Sequence, residues 1–161
     1  MAEIDIQVTF DAVAILDTYK GSSNQNNPVG ISGDLVYLVT NQGHVVTGEG
    51  GSELNVSAQT DDVLRWREAT LNPGYSVLLY AFTPPMGLIS PPRPLRSTVT
   101  VPVPNPSSPL QPGRQTIQDY FWQSTVQSPG HLAYHVSFMI VDQSGAQMGY
   151  YAWEPFVTIT S

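Results

Sequence analysis

The side chains able to do chemistry are few in this chain of 161 residues. Cysteine is absent, which removes thiolate nucleophiles, thiolate metal sites and disulfides in one step. The bases are His44, His131 and His135. A serine or threonine nucleophile needs such a base beside it, held by a third group. No G-x-S-x-G elbow occurs; the nearest string, GISGD at Gly30 to Asp34, lacks the second glycine and a strand-to-helix setting. Only a deep pocket joining one histidine to a carboxylate and a hydroxyl would revive an enzymatic reading. His131 and His135 have the spacing of a helical metal pair, but LAY between them reads as strand. Side chains four apart on a strand stand roughly 13 Å from each other at about 3.3 Å per residue, too far for one ion. Glu49, Glu53, Asp61 and Asp62 lie near turns. Calcium wants about six to eight oxygens, EF-hand spacing is missing, and solvated acidic turns are the simpler account. GEGGS at Gly48 to Ser52 has no lysine and opens no helix, so it is no phosphate loop. No catalytic residue, metal or cofactor is expected.

The aromatic residues carry the candidate binding chemistry. In VLRWREATL, Leu64, Trp66 and Glu68 share one strand face and Arg65 and Arg67 the other. Trp66 is the expected core aromatic; Glu68, at the strand end, is expected to pair with an arginine or cap a loop. Tyr150, Tyr151 and Trp153 crowd one strand, as do Tyr120, Phe121 and Trp122. Consecutive rings on a strand cannot all face one core, so some must reach the surface. Rings stack on sugar faces and also form the centre of protein interfaces. Trp66, Arg67, Glu68, Tyr150, Tyr151 and Trp153 are the candidate binding residues, with a homo-oligomer contact favoured over a glycan or small-ligand site.

Thirteen acids against six bases give a formal charge of -7, which repels phosphate backbones and anionic membranes. Neither nucleic acid nor membrane is an expected partner. No apolar run approaches the about 20 residues needed to span a bilayer. MAEIDIQVTF carries acids where a secretion signal carries Lys or Arg. A cytoplasmic protein is the expectation.

The elements that must position these residues are strands. Ile4, Ile6, Val8 and Phe10 alternate with polar residues, the period-two mark of a half-buried strand. Ala12, Ile15, Leu16 and Tyr19 then fall at helical spacing, with Asp11 as N-cap, Lys20 in the last turn and Gly21 beyond, predicting a short helix over 11–20. DLVYLVT is apolar on both faces and reads as a central strand. Asn41-Gln42-Gly43 reads as a hairpin turn with positive φ at Gly43, returning through HVVTG. ELNVSAQ, VLRWREATL, YSVLLYAF, TIQDYFWQSTV, HLAYHVSFMIVD, AQMGYYAW and FVTIT follow as strands. Residues 84–112 hold ten of the 14 prolines, which excludes them from central sheet. Within them STVTVPVP alternates Val99, Val101 and Val103, as an edge strand would. The whole reads as one all-β domain over 1–161: a two-sheet antiparallel sandwich of the Ig-like or Greek-key type, about nine strands and one helix, with a proline-rich excursion at 84–112. A closed barrel is the rival.

The ordered set PVGISGDLVYLVTNQGHVVTGEG, LNVSAQTDDVLRWREATL, YSVLLYAF and MGYYAWEPFVTIT resembles the bacterial inclusion-body protein family typified by PixA and AidA, from about Ile4 to Thr160. LRWREATL, the Asn41-Gln42-Gly43 turn and Tyr151-Ala152-Trp153-Glu154-Pro155 are its most specific pieces. The resemblance implies a small cytoplasmic protein of host-associated bacteria, with inclusion formation in some members, quorum-sensing control in others and no catalytic residues to carry over. The inclusion-forming type is methionine-rich; this chain has four Met, nearer the AidA branch. The leading expectation is a non-enzymatic protein that self-associates, as a dimer, through residues 84–112 and the Tyr150 to Trp153 cluster. The alternative is a glycan or small-ligand module on the same scaffold.

Overall fold

The computed structural model describes residues 1–83 and 87–160. Pro84, Pro85 and Met86, at the start of the proline-rich stretch, lie outside them. Thirteen strands are described: β1 Glu3–Phe10, β2 Val29–Gly30, β3 Val36–Thr40, β4 Val45–Thr47, β5 Asn55–Gln59, β6 Val63–Thr70, β7 Tyr75–Thr83, β8 Arg93–Val103, β9 Gly113–Thr125, β10 Gly130–Ala133, β11 His135–Asp142, β12 Gln147–Trp153 and β13 Phe156–Thr160. They form three sheets, ordered β3-β1-β6-β9-β8, β10-β13-β5-β4 and β2-β12-β11-β7. The expected two-sheet antiparallel sandwich of about nine strands is corrected on each count, although the fold is mostly β and is no closed barrel. All three sheets are mixed, because β1 pairs β6, β13 pairs β5 and β12 pairs β2 in parallel.

The extra sheet comes from a break within a periodic run. HLAYHVSFMIVD alternates without interruption, and Leu132, Tyr134, Val136, Phe138 and Ile140 are all buried. Yet Ala133 pairs Phe156 in one sheet while His135 pairs Thr83 in another. Tyr134, between them, donates its amide to the Pro155 carbonyl at 3.1 Å. Pro155 has no N–H with which to continue the ladder. The same corner moves the opposing chain from β12 to β13. His131 and His135 therefore lie on strands of different sheets, not on one strand as expected.

Two further expectations change. Asn41-Gln42-Gly43 is no hairpin: Gln42–His44 is a 3-10 turn, and Gly43 has no positive φ. The turn carries the chain from β3, beside β1, to β4, beside β5. DLVYLVT is not central, for β3 is the edge of its sheet and Val39 is exposed.

The helix α1 spans Ala12–Thr18. Asp11 caps it as expected, its carboxylate accepting from the Ala14 amide, and Ala12 and Ile15 are buried. It stops at Tyr19, which is extended, so Gly21 is no helix cap. A Cβ there would stand 2.7 Å from both the Tyr151 hydroxyl and the Gly149 backbone. Gly21 and Gly149 are the two walls against which the Tyr151 ring is buried.

One core cluster joins side chains of all three sheets. Trp66 lies within it and donates its indole N–H to the Tyr134 hydroxyl at 2.9 Å. Phe10, Phe138 and Trp153 form a second aromatic knot, with centroids 4.5 to 5.6 Å apart.

Candidate functional site

The six residues singled out from sequence do not converge. Trp66 and Tyr151 are core. Arg67 lies on the outer face of the β3-β1-β6-β9-β8 sheet, where its guanidinium binds Asp119 at 2.9 Å and also Asp5. It sits over the Phe121 ring, 4.9 Å from the centroid. Arg65 clasps Asp5 through two nitrogens and reaches Glu3. Burial alone would raise the Asp5 carboxyl, but hydrogen bonds from Arg65 and Arg67 outweigh it and hold it below the ordinary range. The hydrogen bonds that Arg67 donates to Asp119 are the chief cause that holds its guanidinium above the ordinary range. Glu68 pairs with neither arginine, contrary to expectation. Its strand face points inward, its Oε2 has no partner, and burial raises its carboxyl above the usual range. Tyr150 is half-buried, edge-on to Tyr80 at 5.5 Å.

Trp153 alone opens onto a larger feature. Four small residues stand in one row across the β2-β12-β11-β7 sheet. Ala81 lies opposite Ser137, Ser137 opposite Ala152, and Ala152 opposite Gly30. They occupy the outward positions between large inward ones, so the sheet's outer face is hollowed along that row. The hollow is a cleft of about 1060 Å³. Its walls include Gln25, Asn26, Ser52, Glu53, Tyr80 and Phe156, with His135 and Glu154 also lining it. The Tyr80 hydroxyl donates to the Gln25 carbonyl at 2.8 Å and pins the loop before β2. Two carboxylates line the cleft and neither Lys nor Arg does, which disfavours an anionic occupant. Trp153 is only 4% exposed, yet its indole N–H has no acceptor. A buried orphan donor of this kind calls for an explanation.

His135 and Glu154 pair side by side on the cleft wall, which is the histidine and carboxylate half of the catalytic constellation considered above. Both side chains are more than half exposed, and no hydrogen bond joins Ser137 to His135, so no activated hydroxyl completes it. Of the other histidines, His131 stacks on Phe156 with its Nδ1 3.0 Å from Thr158 Oγ1, and His44 Nδ1 lies 3.1 Å from the Ser57 carbonyl. Asp62 is consumed by the amides of Ala2 and Gln59. Among the described residues no three His, Asp or Glu side chains gather in metal-binding geometry. No described helix is long and apolar enough to cross a membrane.

A second feature stands apart. From the last row bonded to β6, Pro94 opposite Trp122, strands β8 and β9 run on together to Val103 opposite Gly113. Nine steps at about 3.4 Å carry this ribbon about 30 Å. Residues 113–118 are all exposed. One face presents Val99, Val101, Val103 and Ile117; the other presents Arg96, Arg114, Thr98, Thr100 and Tyr120, the last 59% exposed. As the proline content required, β8 is an edge strand, with Pro94 and Pro102 exposed. At the tip, Leu110 is 96% exposed.

The cleft was not legible because four distant segments build it; its only trace is Ala81, Ser137 and Ala152 between buried neighbours. The ribbon left a stronger sign in its prolines and alternating valines.

A crystal structure of an inclusion body protein of the PixA type from Burkholderia cenocepacia matches with a TM-score of 0.81 at 19% identity, covering 99% of this chain and 96% of that one, and so shares its fold. A cysteine protease inhibitor from Entamoeba histolytica gives a TM-score of only 0.30 at 16% identity, over 66% of this chain and 86% of that one. No curated protein is similar to this chain in sequence. The family model described as PixA, inclusion body protein, matches residues 2–159. With all but three residues covered by that match, the chain belongs to the PixA inclusion body protein family.

Proposed function

We propose that this chain is a non-catalytic, self-associating protein whose contact element is the β8–β9 ribbon. The observation that supports the reading is the segregation of charge. Arg93, Arg96 and Arg114 are on the ribbon, and no acid occurs between Glu68 and Asp119. Asp119 is the one acid on β8 or β9, so the ribbon carries a formal +2, and the remainder keeps 12 acids against Lys20, Arg65 and Arg67, a formal -9. A +2 ribbon repels another ribbon and is attracted to the acidic body of a second copy. A two-stranded ribbon is marginal on its own in water, so covering its exposed apolar residues would also stabilise it. The lack of cysteine fits a reducing, cytoplasmic setting. The four methionines favour the quorum-regulated AidA branch over the methionine-rich, inclusion-forming type.

Light scattering and sedimentation velocity on the purified protein test this. At about 0.1 M salt the mass should exceed that of a monomer, and it should fall towards about 1 M, where the screening length shrinks from about 10 Å to about 3 Å. Reversing Arg96 and Arg114 to Glu should weaken association at least about tenfold. A strict monomer at high concentration and low salt overturns the reading. The second reading, a sugar-binding module, is favoured by the hydroxyl and amide lining of the cleft. A glycan array with and without calcium tests it, and no hit in either condition ends it.

A further inference from the structure

We infer that the cleft on the β2-β12-β11-β7 sheet receives the ribbon tip of a second copy. The inference rests on the self-association reading and gives it a definite receptor. Three independent features of tip and cleft match. The first is charge: Glu53 and Glu154 line the cleft with no Lys or Arg beside them, and Arg114, one row from the tip, has no acid among residues 69–118 around it. The second is surface chemistry. The tip contains Pro104, Pro106, Pro109 and Pro112, and proline-rich segments dock in grooves lined by aromatic rings because their shape is already ordered. Tyr80 and Phe156 supply such rings, and Leu110, touching almost nothing in its own chain, supplies an apolar anchor. The third is hydrogen bonding. Proline offers a carbonyl acceptor and no N–H, so the tip is rich in acceptors. The cleft holds donors in Gln25, Asn26, Ser32 and Ser52.

Size agrees. At about 1060 Å³ the cleft stands at the upper limit of the roughly 300–1,000 Å³ typical of small-ligand sites, and a turn of several residues suits it better than a single sugar ring. A ribbon projecting about 30 Å can deliver its tip without a clash between the two acidic bodies.

Two single variants and their mixture test the contact. Leu110→Asp spoils the tip at a position that packs on nothing. Gly30→Leu fills the trough; a Cβ there meets no atom within 4 Å, so the fold tolerates it. If the melting temperature of Gly30→Leu falls, Glu154→Arg replaces it as the cleft variant. Each variant alone should remain monomeric where the native protein assembles. Mixed in equal amounts, they should form one-to-one dimers and nothing larger, since one intact tip meets one intact cleft. If either variant assembles as the native protein does, or the mixture stays monomeric, the inference is overturned while self-association itself stands. If the native protein never assembles, the underlying reading fails instead. Sugars that shift the Trp153 indole resonance while Gly30→Leu still assembles would assign the cleft to carbohydrate and overturn the inference as well.

Discussion

Tyr134→Phe removes a single oxygen from the corner where the chain passes from one sheet to the next. That oxygen accepts the Trp66 indole N–H at 2.9 Å, and each residue is only 1% exposed. The void left is smaller than a methyl group, so the cost lies almost wholly in the stranded indole donor. Leaving a buried donor unpaired costs about 1–3 kcal/mol. For a chain of this length each kcal/mol lowers the melting temperature by about 2–4 °C. The central value of about 2 kcal/mol gives a drop of roughly 4–8 °C, measured by circular dichroism melts and urea titration. Trp66→Phe alone strands the phenol and opens a cavity, so the double variant should be less destabilised than the two losses added together. The alkaline limb should change too. Burial raises the Tyr134 phenol, so the folded state favours its neutral form. That contribution is fully present below the ordinary tyrosine value and is lost as pH climbs through the raised one. Tyr134→Phe flattens this loss. A drop in stability below about 0.5 kcal/mol, the range of an ordinary surface change, would refute the claim that this bond holds the corner.

Gly149→Ala would place a methyl 2.7 Å from the Tyr151 hydroxyl and 2.9 Å from its ring. Overpacking of that kind costs about 1–3 kcal/mol, and Tyr151→Phe in the same background should recover part of it in a urea titration. Glu68→Gln should raise the melting temperature at neutral pH, because the fold penalises the ionised carboxylate. The folded value lies above the unfolded one, so the penalty applies at neutral pH and disappears as pH falls below the ordinary carboxylate value. The gain over the native protein should vanish there; an equal gain at both ends of a pH series would contradict it.

How much of this was legible in the sequence can be judged residue by residue. Ile4, Ile6, Val8 and Phe10, the Asp11 cap, the burial of Trp66 and the edge position of the proline strand follow from periodicity and backbone chemistry. Sheet membership does not, because a period of two is the same on both sides of the Tyr134 break and the same in parallel and antiparallel pairs. The Asn41-Gln42-Gly43 turn misled because a hairpin and a 3-10 connection use similar polar residues. Tyr151 and Trp153 are buried, since that face of β12 looks inward between Phe10 and Phe138. The cleft depends on which small residues line up across four strands, a matter of register that no single segment encodes. Charge segregation, by contrast, could be counted directly from the arginines and acids.

The placement of β1 and β13 has a consequence for how the molecule is made. β1 lies inside its sheet, between β3 and β6, and β13 lies inside another, between β10 and β5. The row β5-β13 joins segments about a hundred positions apart, and until residues 156–160 leave the ribosome, β5 and β10 have nothing between them. Long-range parallel pairing is slow, and open strand edges waiting for it are vulnerable to cohesion between nascent chains. Closure of this sheet is therefore set by the arrival of β13, and chaperone demand during synthesis should fall sharply once that strand is free.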